Sequence, residues 1–139
     1  MTCIFCEIAE RIRPGHIVFE DNVSLAFLDQ RPLFPGHCLL TPKIHTETIS
    51  DLDHLLVGPL FCNVKLLARA VEQAMASEGT FIAINNKVSQ SVPHLHVHIV
   101  PRRKKDGLKG FFWPRTPYRD DAHMLDVQNA IVAAVQGLG

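Results

Sequence analysis

Apolar residues recur along the chain at two spacings, one typical of helices and one typical of strands. Steps of three to four predict one long helix with a single apolar stripe, beginning near Pro59 and ending at a Gly79 cap. The stripe consists of Leu56, Leu60, Val64, Leu67, Val71 and Met75. This helix is the clearest element of the sequence.

A second helix is predicted near the end of the chain. Asp120 or Asp121 would serve as its N-cap, and it would run to about Val135. Val127, Ile131 and Val135 are expected to form its buried face.

Short β-prone runs and turn residues predict the strands. Residues 16–20 and 23–28 read as a hairpin about Asp21-Asn22, and residues 36–41, 80–84 and 95–100 read as further strands. Residues 3–13 read as a short helix or arm that ends at Pro14-Gly15. Because a hairpin and a strand precede the long helix, we expect an α+β fold with an antiparallel sheet rather than a parallel α/β fold.

Composition limits the class of protein. The 139 residues are 47% hydrophobic and 20% charged with zero formal net charge, which predicts one globular domain over residues 1–139 without general nucleic-acid binding. We also expect no membrane span and, because no basic and apolar leader pattern opens the chain, a cytoplasmic protein. The four cysteines, Cys3, Cys6, Cys38 and Cys62, are then more consistent with thiols or a metal than with disulfides.

Three histidines alternate along the last predicted strand. Side chains on a strand alternate between faces, so His94, His96 and His98 should share one face while the apolar residues between them enter a core. A solvated face would carry mostly Lys, Glu, Thr and Ser, whereas imidazole titrates near neutral pH and can act as nucleophile, acid–base group or metal ligand. The row therefore favours a functional site.

A polar loop, residues 85–91, immediately precedes the histidines. Its amides and hydroxyls can hold an anion. Imidazoles beside such a loop suit phosphorus chemistry, in which a ring nitrogen attacks phosphorus and water later releases the covalent intermediate.

Residues 94–100, His-Leu-His-Val-His-Ile-Val, resemble the defining motif of the histidine triad (HIT) family. Further similar segments occur in the family's order at residues 3–8, 19–21, 26–29, 35–37, 42–45, 85 and 90–92, so that the resemblance covers residues 3–102. It implies a nucleotide hydrolase or transferase, an antiparallel half-barrel sheet of about five strands around one long helix, and a homodimer. Residues 103–139 would add a basic and aromatic segment and the C-terminal helix.

The resemblance also implies roles for individual residues. His96 is similar to the family's nucleophile, His98 to the histidine that contacts the phosphate, and His94 to the member that holds the network. Ser91 and Gln90 resemble residues that contact the phosphate and leaving group. The remaining nucleotide contacts implied are Asn85 near the α-phosphate, Asp29 at the ribose hydroxyls, and Phe19, Phe27 and Leu28 around a purine base. Without the family, Asp29 reads as a turn residue and Phe19 and Phe27 as ordinary core.

Two features depart from the family pattern. Ser89 occupies a position that often holds glycine in the phosphate loop. After residue 102 a basic segment begins, with aromatic residues interleaved: Arg102, Arg103, Lys104, Lys105, Lys109, Phe111, Phe112, Trp113, Arg115, Tyr118 and Arg119. It either packs as a solvated tail or meets a leaving group with extra phosphates.

Cys3-x-x-Cys6 provides half of a tetrahedral zinc site. A redox pair or two free thiols are the alternatives that the sequence leaves open. In some members of the family this pair binds zinc together with two histidines, which match His45 and His94 here. The resemblance thus implies a structural Zn²⁺ with four protein ligands.

Three functions compete at this point. The first is a hydrolase or transferase that cleaves the α-phosphate linkage of a purine nucleoside phosphoramidate, or alternatively of a dinucleoside polyphosphate. The second is a non-catalytic nucleotide-binding protein. The third is a zinc hydrolase in which the three histidines are the metal ligands.

Overall fold

Five strands form one antiparallel sheet in the first of two units into which the chain divides, Met1–Asp106 and Gly107–Gly139. The computed structural model describes residues 3–108 and 115–139. The strands are β1 Ile17–Glu20, β2 Ser24–Leu28, β3 Cys38–Pro42, β4 Gly79–Ile84 and β5 Val97–Arg102, in the order β1-β2-β3-β5-β4. The helices are α1 Ile4–Ala9, α2 His54–Met75 and α3 Asp121–Leu138, with a short 3₁₀ turn at Ile49–Asp51. The predicted α+β class and antiparallel sheet are confirmed.

Helix α2 starts earlier than the sequence predicted. Asp53 is its N-cap, and the Asp53 carboxylate accepts a hydrogen bond from the Leu55 amide at 2.9 Å. Pro59 therefore lies inside the helix, where its missing N–H removes only the bond to the Leu55 carbonyl. Because a proline this close to the start of a helix resembles a proline at the first helical position, the predicted start lay too late in the chain.

The end of α2 was also misplaced. Ala76 and not Gly79 takes the left-handed cap conformation, with φ 50°, and Gly79 is already the first residue of β4. Glycine is favoured at this cap because it has no Cβ, but the backbone bonds from Ala76 and Ser77 to the carbonyls of Gln73 and Glu72 close the last turn here.

The predicted stripe of α2 packs against one face of the sheet. Its central members are buried together with side chains from β2, β3 and the histidine segment, in a cluster that includes Leu60, Val64, Leu67, Val71, Ala26, Leu40, Leu95, Val97 and Ile99. By length and mean hydropathy (1.3) α2 could also cross a membrane, which the sequence analysis did not expect. Its packing on the sheet is that of a core helix.

Asn63 on α2 links the helix to the first hairpin. Its side-chain amide donates to Asp21 Oδ2 at 2.8 Å and to Ser24 Oγ at 2.7 Å. Asp21 also accepts from the amides of Val23 and Ser24, so the hairpin turn is fixed on the helix by side-chain hydrogen bonds. The hairpin at residues 21–22 was predicted from the sequence, whereas this anchor was not.

The second unit contains helix α3 with Asp120 as its N-cap, as predicted. Its expected buried face was wrong: Ile131 and Val135 are 60% and 62% exposed, and Val127 is only half-buried. The described part of this unit, residues 115–139, contains no second element against which the stripe could pack. Of the predicted basic and aromatic segment, Lys109, Phe111, Phe112 and Trp113 lie outside the described residues.

Candidate active site

The three alternating histidines share one face of the sheet, as the sequence predicted. His94 and His96 lie in the segment that precedes β5, which is held to the segment after β3 where the Leu95 amide donates to the Thr46 carbonyl at 2.6 Å. Leu95, Val97 and Ile99 enter the core beneath α2. On the opposite face the rings of His96 and His98 lie 5.0 Å apart, and Phe5 from α1 packs 5.0 Å from His96.

A backbone carbonyl fixes the tautomer of the His96 ring. His96 Nδ1 lies 2.7 Å from the His94 carbonyl oxygen, which can only accept, so Nδ1 must carry the proton. In the neutral ring Nε2 then holds a lone pair. Phe5 at the ring edge fixes its orientation. The contact fixes the tautomer that a nucleophile requires.

A pair of hydrogen bonds through His37, the residue before β3, likewise fixes the tautomer of His98. His37 Nδ1 accepts from the Leu33 amide at 3.1 Å, so His37 Nε2 carries the proton and donates it to His98 Nδ1 at 3.0 Å. His98 Nε2 is then the protonated nitrogen, able to donate to an anion. The Asp29 carboxylate lies 3.6 Å from His37 Nε2.

Burial keeps the His37 and His98 rings neutral. Burial, with smaller contributions from His96 and His37, lowers the pKa of His98 to about 4. Burial also lowers the pKa of His37, although Asp29 acts in the opposite direction. At pH 7 both rings are therefore neutral and the donor on His98 is set by geometry rather than by charge.

A cleft of about 260 Å³ opens beside these rings. Its lining includes six of the predicted residues, namely Phe27, Leu28, Asp29, Ser91, His96 and His98. Ile4, Phe5 and Ile8 from α1 add an apolar wall, and Arg13, His16 and Arg31 add basic groups. Arg13 is paired with Glu7 at 2.9 Å. The cleft thus joins an apolar end, a carboxylate and the two fixed imidazoles.

Three residues predicted to contact the nucleotide, Phe19, Asn85 and Gln90, do not line this cleft. Phe19 pairs with Ala26 across the hairpin and packs in the core on the α2 side, because it faces away from Phe27. Asn85 follows β4 and lines neither this cleft nor its neighbour. The assignment of Phe19 is corrected, since Phe19 is a core residue, whereas the predicted contact of Asn85 with the α-phosphate stays a prediction.

Gln90 holds the loop rather than the cleft. Its side-chain amide donates to the Glu47 carbonyl at 2.6 Å and its oxygen accepts from the Lys87 amide at 2.8 Å. These bonds fix the loop, and the predicted contact of Gln90 with phosphate stays a prediction. Ser89, at the position that often holds glycine, has φ 60°, which is the left-handed conformation that glycine would adopt without strain.

The basic residues that directly follow β5 lie away from the histidines. Four residues separate His98 from Arg102, a distance of about 13 Å along a strand. Arg102 pairs with Asp106 at 2.5 Å, and Arg103 donates to the Met75 carbonyl at the end of α2. Residues 102–105 thus cap the far end of the sheet, and the solvated-tail reading applies to them.

His37 is the site residue that sequence reasoning missed. It had been noted only as part of the Pro35-Gly36-His37 segment, without a role. Cross-strand pairing of Leu39 with His98 brings it beside the triad, although 61 residues separate the two histidines. Long-range register of this kind is not readable from one sequence.

Replacing His37 with leucine is expected to lower kcat about 10- to 100-fold with little change in KM, because His98 loses the partner that sets its tautomer. His37→Gln, which retains an N–H donor of similar reach, should recover part of the rate. Steady-state kinetics of both variants, with thermal melting as the control for folding, would check this. Equal losses in the two variants would contradict an orienting hydrogen bond.

A second cluster lies where α1 meets the histidine segment. Ligand atoms of Cys3, Cys6, His45 and His94 all fall within 4.8 Å of one another. The Cys3 and Cys6 sulfurs lie 3.3 and 3.5 Å from His94 Nδ1, and Cys6 lies 3.4 Å from His45 Nδ1. Tetrahedral zinc, with Zn–S about 2.3 Å and Zn–N about 2.05 Å, separates sulfur and nitrogen by about 3.5 Å. The predicted ligand set fits that ion.

His94 belongs to this cluster rather than to the cleft. Its Nε2 donates to the Pro42 carbonyl at 2.9 Å, which leaves Nδ1 unprotonated towards the two sulfurs. Burial lowers the pKa of His94, which favours the neutral ring that a metal needs. Its side chain faces the two cysteines, and its backbone carbonyl contacts His96 Nδ1, whereas the catalytic role predicted for His94 stays a prediction.

A cleft beside an imidazole with a free lone pair and a second imidazole with a fixed donor defines a site built for nucleophilic attack at an anionic centre. A family model of the HIT domain matches residues 10–105. The chain belongs to the HIT domain family.

Curated relatives include adenylylsulfatase HINT3 of Arabidopsis thaliana, 33% identical over 108 residues, which covers 76% of this chain and 55% of that protein. An asymmetrical bis(5'-nucleosyl)-tetraphosphatase of Schizosaccharomyces pombe is 33% identical over 94 residues, covering 66% of this chain and 52% of that protein. The chain thus spans only about half of these two enzymes, and the family includes hydrolases of nucleotide linkages.

Solved structures of the family are also similar. A HIT family protein from Bacillus subtilis has a TM-score of 0.86 at 32% identity, with 96% of each chain covered. A zinc-bound histidine triad family protein from Mycobacterium smegmatis has a TM-score of 0.74 at 33% identity, covering 100% of this chain and 99% of that one.

Proposed function

We propose that this protein hydrolyses the α-phosphate linkage of a purine nucleoside phosphoramidate through a nucleotidyl-histidine intermediate on His96. The observation that carries the proposal is the His96 Nδ1 contact with the His94 carbonyl, which leaves Nε2 unprotonated in the cleft. A protein that only bound nucleotides would have no need of this tautomer.

The residues of the cleft divide the work by their chemistry. Phe5, Ile8 and Phe27, whose two phenyl rings pack 5.2 Å apart, would form one apolar wall against the base, and Asp29 would accept hydrogen bonds from the ribose hydroxyls. His98 Nε2–H and Ser91 would donate to the phosphate oxygens, where charge develops during displacement.

The reaction would run in two displacements. His96 Nε2 forms a bond to phosphorus as the P–N bond breaks, and the leaving nitrogen takes a proton from solvent and departs as the amine. Water then attacks phosphorus and returns one proton to solvent, the bond to His96 breaks, and the nucleoside monophosphate departs. One water is consumed and the ring is regenerated.

The two arginines that follow His98 on the chain give no support to a dinucleoside polyphosphate as the substrate. Arg102 and Arg103, which had suggested contacts with extra phosphates, are committed to Asp106 and Met75 at the far end of β5. The similarity to the tetraphosphatase keeps the polyphosphate as the second candidate.

The test is release of AMP from adenosine phosphoramidate and from diadenosine tetraphosphate, followed in parallel by chromatography. Faster release from the phosphoramidate supports the proposal, and faster release from the tetraphosphate would move the protein to the second candidate. Binding of AMP with turnover of neither substrate would leave a nucleotide-binding protein.

We propose in addition that Cys3, Cys6, His45 and His94 bind a structural Zn²⁺. The sulfur–nitrogen distances and the orientation of His94 support this ion, and four protein ligands leave no open position for substrate. A catalytic metal held by the three triad histidines is disfavoured, because no potential metal cluster among residues 3–108 and 115–139 contains all three. Zinc would supply only the tie between α1 and the sheet.

We also propose that the chain forms a homodimer, through the β4 side of the sheet. β4 is the outermost strand there, and Ile82 on β4 and Phe61 and Leu66 on α2 are 40–47% exposed. Sedimentation velocity should give about 31 kDa, twice the 15.5 kDa of one chain. Ile82→Lys should shift the protein to the monomer mass, whereas Val18→Lys, at an exposed residue of the outermost strand on the other side, should leave it unchanged. A wild-type mass of one chain would contradict the dimer.

A further inference from the structure

A second cleft, of about 450 Å³, lies next to the first cleft, the one lined by His96 and His98. Ile4, Ser91 and Val92 line both clefts, whereas His96 and His98 line only the first. The two spaces are therefore neighbours that meet along the loop residue Ser91 and the start of α1.

The geometry of an in-line displacement predicts the side of the phosphate on which the leaving group departs. When His96 Nε2 attacks phosphorus, the leaving group departs on the side opposite His96. Ser91, which is proposed to donate to the phosphate, lines both clefts, so the phosphate would lie where they meet and the group that leaves would move past Ser91. The second cleft, which adjoins the first at Ser91 and is not lined by His96, is the space available to that group.

The charges of the second cleft select among leaving groups. Glu47 is exposed there, and none of the lining residues is lysine or arginine. The Glu47 carboxylate forms no ion pair among the described residues. The hydrogen bond from Gln90 goes to the Glu47 backbone carbonyl and not to the carboxylate. Val92 and Pro93 supply an apolar floor.

The adjoining cysteine and histidine residues do not change this balance. Cys3 and His45, which also line the cleft, belong to the proposed zinc site. A divalent ion held by two thiolates and two neutral imidazoles has zero net charge. The Glu47 carboxylate therefore sets the sign of the local potential.

We infer that this second cleft is the leaving-group subsite and that Glu47 makes it selective for amine leaving groups carrying a further positive charge at the end of a short apolar chain. The inference rests on the proposed phosphoramidate function and deepens it. An anionic polyphosphate leaving group would meet a carboxylate without a compensating cation, which is unfavourable.

The test compares two substrates that differ only at the end of the leaving group: adenosine 5'-(N-butyl)phosphoramidate and adenosine 5'-(N-4-aminobutyl)phosphoramidate. Wild type should prefer the charged substrate about two- to fivefold in kcat/KM at low salt, the range of an exposed ion pair, and less at high salt. Glu47→Gln should bring the ratio to one, Glu47→Asp should keep a preference, and Glu47→Lys should reverse it.

A control variant tests whether the preference depends on Glu47 itself. Glu78→Gln, which removes a charge from a residue lining neither cleft, should keep the wild-type ratio. Turnover of both substrates at equal kcat/KM by wild type, or an unchanged preference in Glu47→Gln, would overturn the subsite while leaving the phosphoramidate function intact. Turnover of neither substrate would overturn both.

Discussion

A His96→Ala variant is expected to lose AMP release by a factor on the order of 10⁴ or more, since no other group in the cleft can form the covalent intermediate. His98 lies beside His96, but its Nδ1 accepts from His37 and its Nε2 carries a proton, so it offers no lone pair towards the phosphate. The loss should appear in kcat, with nucleotide affinity retained, because Phe27 and Asp29 still line the cleft.

Two measurements separate loss of chemistry from loss of folding. Rapid quench and mass spectrometry should detect a nucleotidyl adduct on wild type, stable to base and labile to acid, that is absent from His96→Ala. Thermal melting and AMP binding report the fold, and His54→Ala, an exposed histidine at the start of α2, is the matched control with wild-type rates. Turnover of His96→Ala at the wild-type rate would exclude a histidine nucleophile at this position.

The side of the sheet on which the histidines lie could be predicted because the strand period is two. Leu95, Val97 and Ile99 had to face a core if His94, His96 and His98 faced a site, and this alternation extends even into the segment before β5 begins. The stripe of α2 was readable for the same reason, at a period of 3.6. Local periodicity fixes faces without any knowledge of distant residues.

Residue roles that depend on long-range register could not be read in this way. Phe19 was assigned to the base pocket from its place in a family segment, although its pairing with Ala26 turns it towards α2. His37 became visible only when β3 was paired with β5, and Gln90 only when the loop was seen to reach the Glu47 carbonyl. The roles of His37 and Gln90 depend on contacts between segments more than 40 residues apart. The orientation of Phe19 depends only on the register of its own hairpin.

The four-ligand cluster was predicted in full, and the structure adds why its ring nitrogens suit a metal. The Pro42 carbonyl fixes the His94 tautomer, an orientation that costs little because it is built into β3. Burial, together with the neighbouring Cys3 thiol, raises the pKa of Cys6 to about 11. Without a metal Cys6 is therefore a thiol at neutral pH, and zinc must displace its proton, so affinity should rise with pH.

Removing zinc, by chelation or by Cys6→Ser, is expected to lower the melting temperature by about 8 to 16 °C. A ligand present at about 1,000 times its dissociation constant stabilises the native state by about 4 kcal/mol, and each kcal/mol moves the melting temperature by about 2 to 4 °C in a domain of this size. The loss arises because α1, with Phe5 and its contacts to His94 and His96, is no longer tied to the sheet by the metal.

Zinc content by plasma emission spectrometry, melting temperature and initial rate should be measured on the same samples. Cys62→Ser, at an exposed thiol on α2 outside the cluster, is the matched control and should keep both zinc and stability. Because the proposed attack by His96 on phosphorus needs no metal, the rate at 25 °C should survive brief chelation while stability falls. Immediate loss of turnover at an unchanged melting temperature would instead assign the ion to the chemistry, and would require a metal ligand set other than the four residues that meet here.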